Sequence, residues 1–251
     1  MKKWYNEHGE DVKSMSDSLR LHGNIFKNNS SKYVLVCHGY PRRAKHMAGF
    51  VNKFYSLGYN VLAADARAHG DSEGTKIGMG WPERFDVIEW IKLIISWEPN
   101  AQIILHGVSM GAATVLMASG EELPENVKVI IADCGYTSEW DKFKCEANAL
   151  HIPWFPVLNA ASVMSRLRDG YDFKQASALE KVKQSRIPTL FIHGSDDELV
   201  PYSMLDKLYS AAACEKECLT VNGAGHALSS SVEPELYWNA VESFIEKYSE
   251  K

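Results

Sequence analysis

The stretch "ILHGVSMGAATV", residues Ile104 to Val115, sets Ser109 between Gly107 and Gly111, at the end of a β-rich run and the start of a small-residue run suited to a helix. A strand that turns abruptly into a helix leaves no room for side chains two residues either side of its apex. Glycines there are what a nucleophile elbow requires. The same turn would place Ser109 at a helix N-terminus, where unpaired N–H groups can stabilise a developing negative charge. A serine hydroxyl is nearly inert at neutral pH and needs a base to take its proton. The rest of the chain therefore has to supply that base and a group to orient it.

Strand-like and helix-like runs alternate on both sides of this stretch. "EDVKSMS" and "LRLHGNIF" bracket Asp17-Ser18 and read as an antiparallel hairpin. "KYVLVCHG", "YNVLAADARAHG", "AQIILHG", "VKVIIAD", "PTLFIHG" and "ECLTVNG" read as further strands. Between them, "AKHMAGFVNKFYSLG" closes on Gly58, and "GWPERFDVIEWIKLIISWEPN" has Pro82 in its first turn. "YSMLDKLYSAAA" and "PELYWNAVESFIEKYS" complete the helical set. The pattern predicts an α/β fold: a mostly parallel eight-stranded sheet with helices on both faces and an antiparallel edge. Residues 1–251 are expected to form a single domain, with 134–187, which lacks a strand pattern, as a short helical insertion or small cap after the sixth strand.

Two more strand ends carry chemistry. "FIHGSDDELVP" puts Asp196 and Asp197 after one strand, and "VNGAGHA" puts His226 after the next. Serine, acid, histidine is the chain order of a triad on this kind of sheet, and all three fall at the C-terminal rim where they can converge. Either aspartate fits at this point, and Asp133, which also ends a strand, is a third candidate acid.

Together with "HGYPRRAKHM" and "DARAHGDSEG", these motifs make the chain similar to the α/β-hydrolase superfamily over essentially its whole length. Within it, the chain resembles bacterial single-domain serine hydrolases related to the catalytic domain of prolyl-oligopeptidase-type enzymes. The resemblance implies a catalytic triad of Ser109, Asp197 and His226, its acid-turn register choosing Asp197. It also implies an oxyanion hole built from the backbone N–H groups of Tyr40 and Met110. Members usually carry glycine where this chain has Ala68, so a loop position with restricted backbone freedom is expected there. The activity implied is that of a carboxylesterase, with thioesterase or small-peptide hydrolase as variants on the same triad and a non-catalytic binding protein of the same fold as the further alternative. Trp81, Tyr136, Trp154 and Phe155 are candidates to line an apolar acyl pocket.

Composition bounds the partners. A net charge of −5 gives no electrostatic reason to expect nucleic acid or an anionic membrane, so a small-molecule ester is the expected partner. Five cysteines without CxxC pairs suggest neither a disulfide framework nor a metal site, and no cofactor is expected. "MKKWYNEHGED" has no signal-peptide core, and no apolar run approaches ~18 residues, which points to the cytoplasm. The oligomeric state, monomer or homodimer, stays open.

Overall fold

Runs that are apolar at every position suit strands covered on both faces. The computed structural model, which describes residues 1–249, places them so. Helix α1 (Lys2–His8) precedes the hairpin β1 (Glu10–Ser16) and β2 (Leu19–Phe26). Then follow β3 (Lys32–Cys37), α2 (Ala48–Ser56), β4 (Asn60–Ala64), α3 (Glu83–Trp97), β5 (Gln102–Val108), α4 (Met110–Ala118) and β6 (Val127–Asp133). Helices α5 (Glu139–Ala149), α6 (Trp154–Asp169) and α7 (Ala178–Val182) intervene before β7 (Thr189–Gly194). The chain continues through α8 (Ser203–Ala211), β8 (Lys216–Val221), α9 (Ser229–Val232) and α10 (Pro234–Ser249).

The eight strands lie in the order β1-β2-β4-β3-β5-β6-β7-β8, with β2 running against the others. Alternation along the strands builds two cores. Leu35, Leu105, Ile130 and Phe191 face Trp90, Ile91 and Met117, while Val36, Ile104, Ile131 and Ile192 face Phe54, Val241 and Phe244. Helix α4 is buried at all nine positions, and its small residues let it lie close against the sheet. The C-terminal ends of β3, β5, β7 and β8 consequently share one rim, which carries Gly39, Ser109, Asp197 and His226 on the segments that follow.

The hairpin turn at Asp17 and Ser18 has φ of 47° and 65°, the paired left-handed geometry of a two-residue turn. Two helices were not legible in the sequence pattern. Helix α1, seven residues long, is too short to announce itself by periodicity and is held by packing, with Trp4 stacked on Phe26 and Tyr5 buried. The four-residue α9 has the same excuse. Among the described residues, no helix is long and apolar enough to cross a membrane.

Candidate active site

The elbow predicted around Ser109 is present, and its strain can be read atom by atom. Ser109 has φ 56° and ψ −116°, a conformation that costs a non-glycine residue of order 1–3 kcal/mol and persists only where the surroundings impose it. They do. A Cβ on Gly107 would lie 2.3 Å from the Gly111 carbonyl oxygen, and one on Gly111 would lie 2.2 Å from that of Cys37. Helix α4 begins immediately after, its first bond running from Ala113 N–H to the Ser109 carbonyl at 3.0 Å. The N–H groups of Met110, Gly111 and Ala112 thus have no intrahelical partner.

The loop after β3 passes directly over this turn. A Cβ on Gly39 would sit 3.1 Å from Ser109 Cβ and 3.7 Å from its Oγ, so Tyr40 is one residue away from the hydroxyl. Its side chain is exposed, which leaves the backbone as its contribution to the site. His38 holds the loop from below: Nδ1–H donates to the Gly39 carbonyl at 3.0 Å, and Nε2 accepts the Ala66 N–H at 3.0 Å. Burial lowers this imidazole to about 4, so it is a neutral brace.

Ser109, His226 and Asp197 form one hydrogen-bonded line. His226 Nε2 lies 2.8 Å from Ser109 Oγ, and His226 Nδ1 lies 2.7 Å from Asp197 Oδ2. The close approach of the two supporting loops has a local cause: a Cβ on Gly194 would meet the Ala224 carbonyl oxygen at 2.1 Å, and Asp196 N–H donates to that same carbonyl at 3.0 Å. Asp197 Oδ1 accepts the N–H groups of Leu199 (3.0 Å) and Val200 (2.8 Å). Burial opposes ionisation of Asp197, but hydrogen bonds from His193, His226 and Val200 outweigh it and hold the carboxyl well below the usual carboxylate range. An anion fixed beside Nδ1 selects the tautomer whose Nε2 can accept the serine proton.

The other two acids are placed elsewhere. Asp196 is exposed and accepts from Ser195 Oγ at 2.6 Å. Asp133 is fully buried next to Tyr237, Ser229 and His193, with neither oxygen in a well-formed hydrogen bond among the described residues. Burial pushes its carboxyl up to about 7.

Of the four residues expected to line the acyl pocket, two are corrected. Tyr136 is wholly buried in the core, its hydroxyl donating to the Met79 carbonyl at 2.7 Å, and it presents no surface to a cleft. Trp81 stacks on the Arg84 guanidinium at 3.5 Å, beside an Arg84–Glu121–Lys181 cluster past the C-terminal end of α4, the end opposite Ser109. Trp154 and Phe155 belong to the α5–α6 hairpin. The Trp154 ring meets Trp140 and Lys144, and Phe155 is largely exposed.

Two contributors escaped the sequence reading. His193 is fully buried, with Nε2 donating to the Val200 carbonyl at 2.8 Å and lying 3.3 Å from Asp197 Oδ2. Its signal was a histidine inside the otherwise apolar "PTLFIHG", since a buried imidazole needs a partner. Cys134, at the end of β6, lies within 4.8 Å of the Asp197 and His226 ligand atoms, and burial raises its thiol well above the ordinary range. That makes it a packing group beneath the line and no nucleophile. Nothing in its spacing marked it.

A family profile described as serine aminopeptidase, S33, matches residues 28–168. The chain is 27% identical over 228 residues to the YqkD protein of Bacillus subtilis, spanning 90% of this chain and 75% of that one. It is 28% identical over 213 residues to the lysophosphatidylserine lipase ABHD12 of Macaca fascicularis, spanning 84% of this chain and 50% of the lipase. Among solved structures it is similar to the Pyrococcus furiosus esterase Pf2001, with a TM-score of 0.81 and 24% identity over 99% of this chain and 94% of that one. That likeness is one of fold.

Proposed function

The chain belongs to the serine aminopeptidase S33 family of α/β hydrolases, and from that premise we propose that it is a serine hydrolase that cleaves carboxylic esters with small or apolar acyl groups. One observation carries the reading: the continuous line from Ser109 Oγ through His226 to Asp197, with both hydrogen bonds at 2.7–2.8 Å.

In the proposed reaction, His226 Nε2 takes the Ser109 proton as Oγ attacks the ester carbonyl carbon. The carbonyl π pair moves to oxygen, and that oxyanion is received by the N–H groups of Met110 and Tyr40. Each donor is worth roughly 3 kcal/mol in the transition state. Collapse breaks the bond to the alcohol oxygen, which leaves with the proton from His226. Water then repeats the sequence: its proton goes to His226, its oxygen attacks the acyl carbon, and Ser109 departs and is reprotonated. Asp197 stays ionised throughout and stabilises the imidazolium formed in each half.

Ester cleavage is favoured by the likeness to an esterase in fold and to a lipase in sequence. A lipid acyl ester falls within the proposed class. Ser109→Ala is expected to abolish p-nitrophenyl acetate hydrolysis, at least ~10³-fold, while the circular dichroism spectrum and melting temperature stay close to wild type. Retained turnover in the folded variant would refute the assignment.

A further inference from the structure

Helix α6 is amphipathic in the reverse sense. Leu158, Ser162 and Ser165 face the protein; Ser162 Oγ accepts the Phe173 N–H at 3.1 Å, and Ser165 Oγ donates to the Tyr171 carbonyl at 2.9 Å. The opposite face bears Val157, Ala160, Val163, Met164 and Leu167, all exposed, Leu167 to 79%. At ~100° per residue these five fall within an arc of about 120°. Solvent thus meets a stripe of large apolar side chains while hydroxyls point inward, so that stripe is built to be covered.

The most exposed charges beside the stripe are cationic. From Leu150 to Arg168 the chain holds no Asp or Glu, and its charged residues are Arg166 and Arg168. Both are well exposed and loosely engaged, Arg166 with Asp172 at 3.8 Å and Arg168 with Asp169 at 3.4 Å. They stand on the two flanks of the apolar arc. Asp169 and Asp172 are withdrawn, to 15% and 28% side-chain exposure, so the charges that meet solvent along this edge are cationic on a chain of net charge −5.

We propose that α6 is an interfacial anchor that lays its outward face on an anionic lipid surface. The helix, regular after the kink at Phe155 and ~21 Å long from Pro156 to Asp169, rests in the plane of the interface with its apolar arc in the acyl boundary. Arg166 and Arg168 lie along that boundary and reach the phosphate and carboxylate headgroups. A second copy of the chain is the weaker occupant. One face of a single helix offers on the order of 400 Å², about half of what each partner contributes to a stable interface. Whole-chain charge gave no reason to expect a membrane partner because it averages over this local face. The anchor goes beyond the ester-hydrolase reading and does not depend on it.

The test uses vesicle sedimentation of the Ser109→Ala full chain, so that binding is read without catalysis. The vesicles are phosphatidylcholine alone or with about one third phosphatidylserine. The protein is expected to sediment with the anionic vesicles and to partition ~10-fold less onto neutral ones. Met164→Glu with Leu167→Glu should lower anionic partitioning at least ~10-fold. Arg166→Glu with Arg168→Glu should bring it to the neutral level. All these side chains stand in solvent, so melting temperatures should be unchanged, and hydrolysis of a water-soluble ester by the same variants of the wild-type chain should also be unchanged. Absence of sedimentation, or sedimentation indifferent to the substitutions, would overturn the proposal. So would a dimer at micromolar concentration that Leu167→Glu dissociates, which would assign the face to a second copy.

Discussion

Asp196 and Asp197 follow β7 side by side, yet the turn sends Asp197 inward to two backbone N–H groups and His226 while Asp196 stays in solvent. The consequence for rate is steep. Asp197→Asn is expected to lower kcat ~10⁴-fold by freeing the wrong imidazole tautomer, with Asp196→Asn within about twofold of wild type. Ester kinetics on both variants checks this, and equal losses would show that the acid has been misassigned. At this scale the hydrogen-bonded line of Ser109, His226 and Asp197 was legible because all three were read at strand ends in a fixed chain order, a constraint that spacing reveals. Direction of a side chain is not so constrained. Trp81 and Tyr136 have the right chemistry for a pocket, but one stacks on Arg84 and the other is sealed in the core. His193 was overlooked for the converse reason: its role comes from a contact with Asp197, four residues on, which only the fold of the turn creates.

Among the elements, the long buried strands and α3 announced themselves by periodicity, whereas α1 and α9 depend on tertiary contacts that no local pattern encodes. The loop after β4 is a middle case. Ala68 was expected to sit where glycine is usual, and it adopts φ 59°, held by its N–H to the Glu73 carbonyl at 3.0 Å. An alanine in the left-handed region costs roughly 1–2 kcal/mol, part of which glycine's larger unfolded-state entropy would offset. Ala68→Gly is therefore expected to stabilise the fold by about 1 kcal/mol, or ~2–4 °C in melting temperature, with turnover unchanged. A calorimetric scan tests this; a destabilised variant would mean that the loop relaxes its strain elsewhere.

Over the molecule as a whole, buried ionisable groups set opposing pH dependences. Burial lowers His38 to about 4 and His106 to about 3. These imidazoles are neutral when folded, unfolding takes up protons, and stability falls as pH drops below about 6.5. Glu139, at the start of α5, moves the other way: burial, with Glu83 and Asp169 nearby, pushes it up to about 9. Its folded state binds the proton more tightly than the unfolded chain does, so its share of stability is lost as pH rises from about 4.5 toward 9. Glu139→Gln should therefore raise stability by on the order of 3 kcal/mol at pH 8 and by close to nothing at pH 4.5. Urea unfolding at both pH values measures the difference, and an equal shift at the two would remove the titration from the explanation.

The convergence of three distant strand ends on one reactive hydroxyl can be addressed in a single labelling measurement. A fluorophosphonate added to the folded chain, followed by intact-mass and peptide mass spectrometry, should give one adduct on Ser109, formed at least ~10³-fold more slowly in His226→Ala. A folded protein that stays unlabelled, carries the adduct on another serine, or reacts as fast without the imidazole would contradict it.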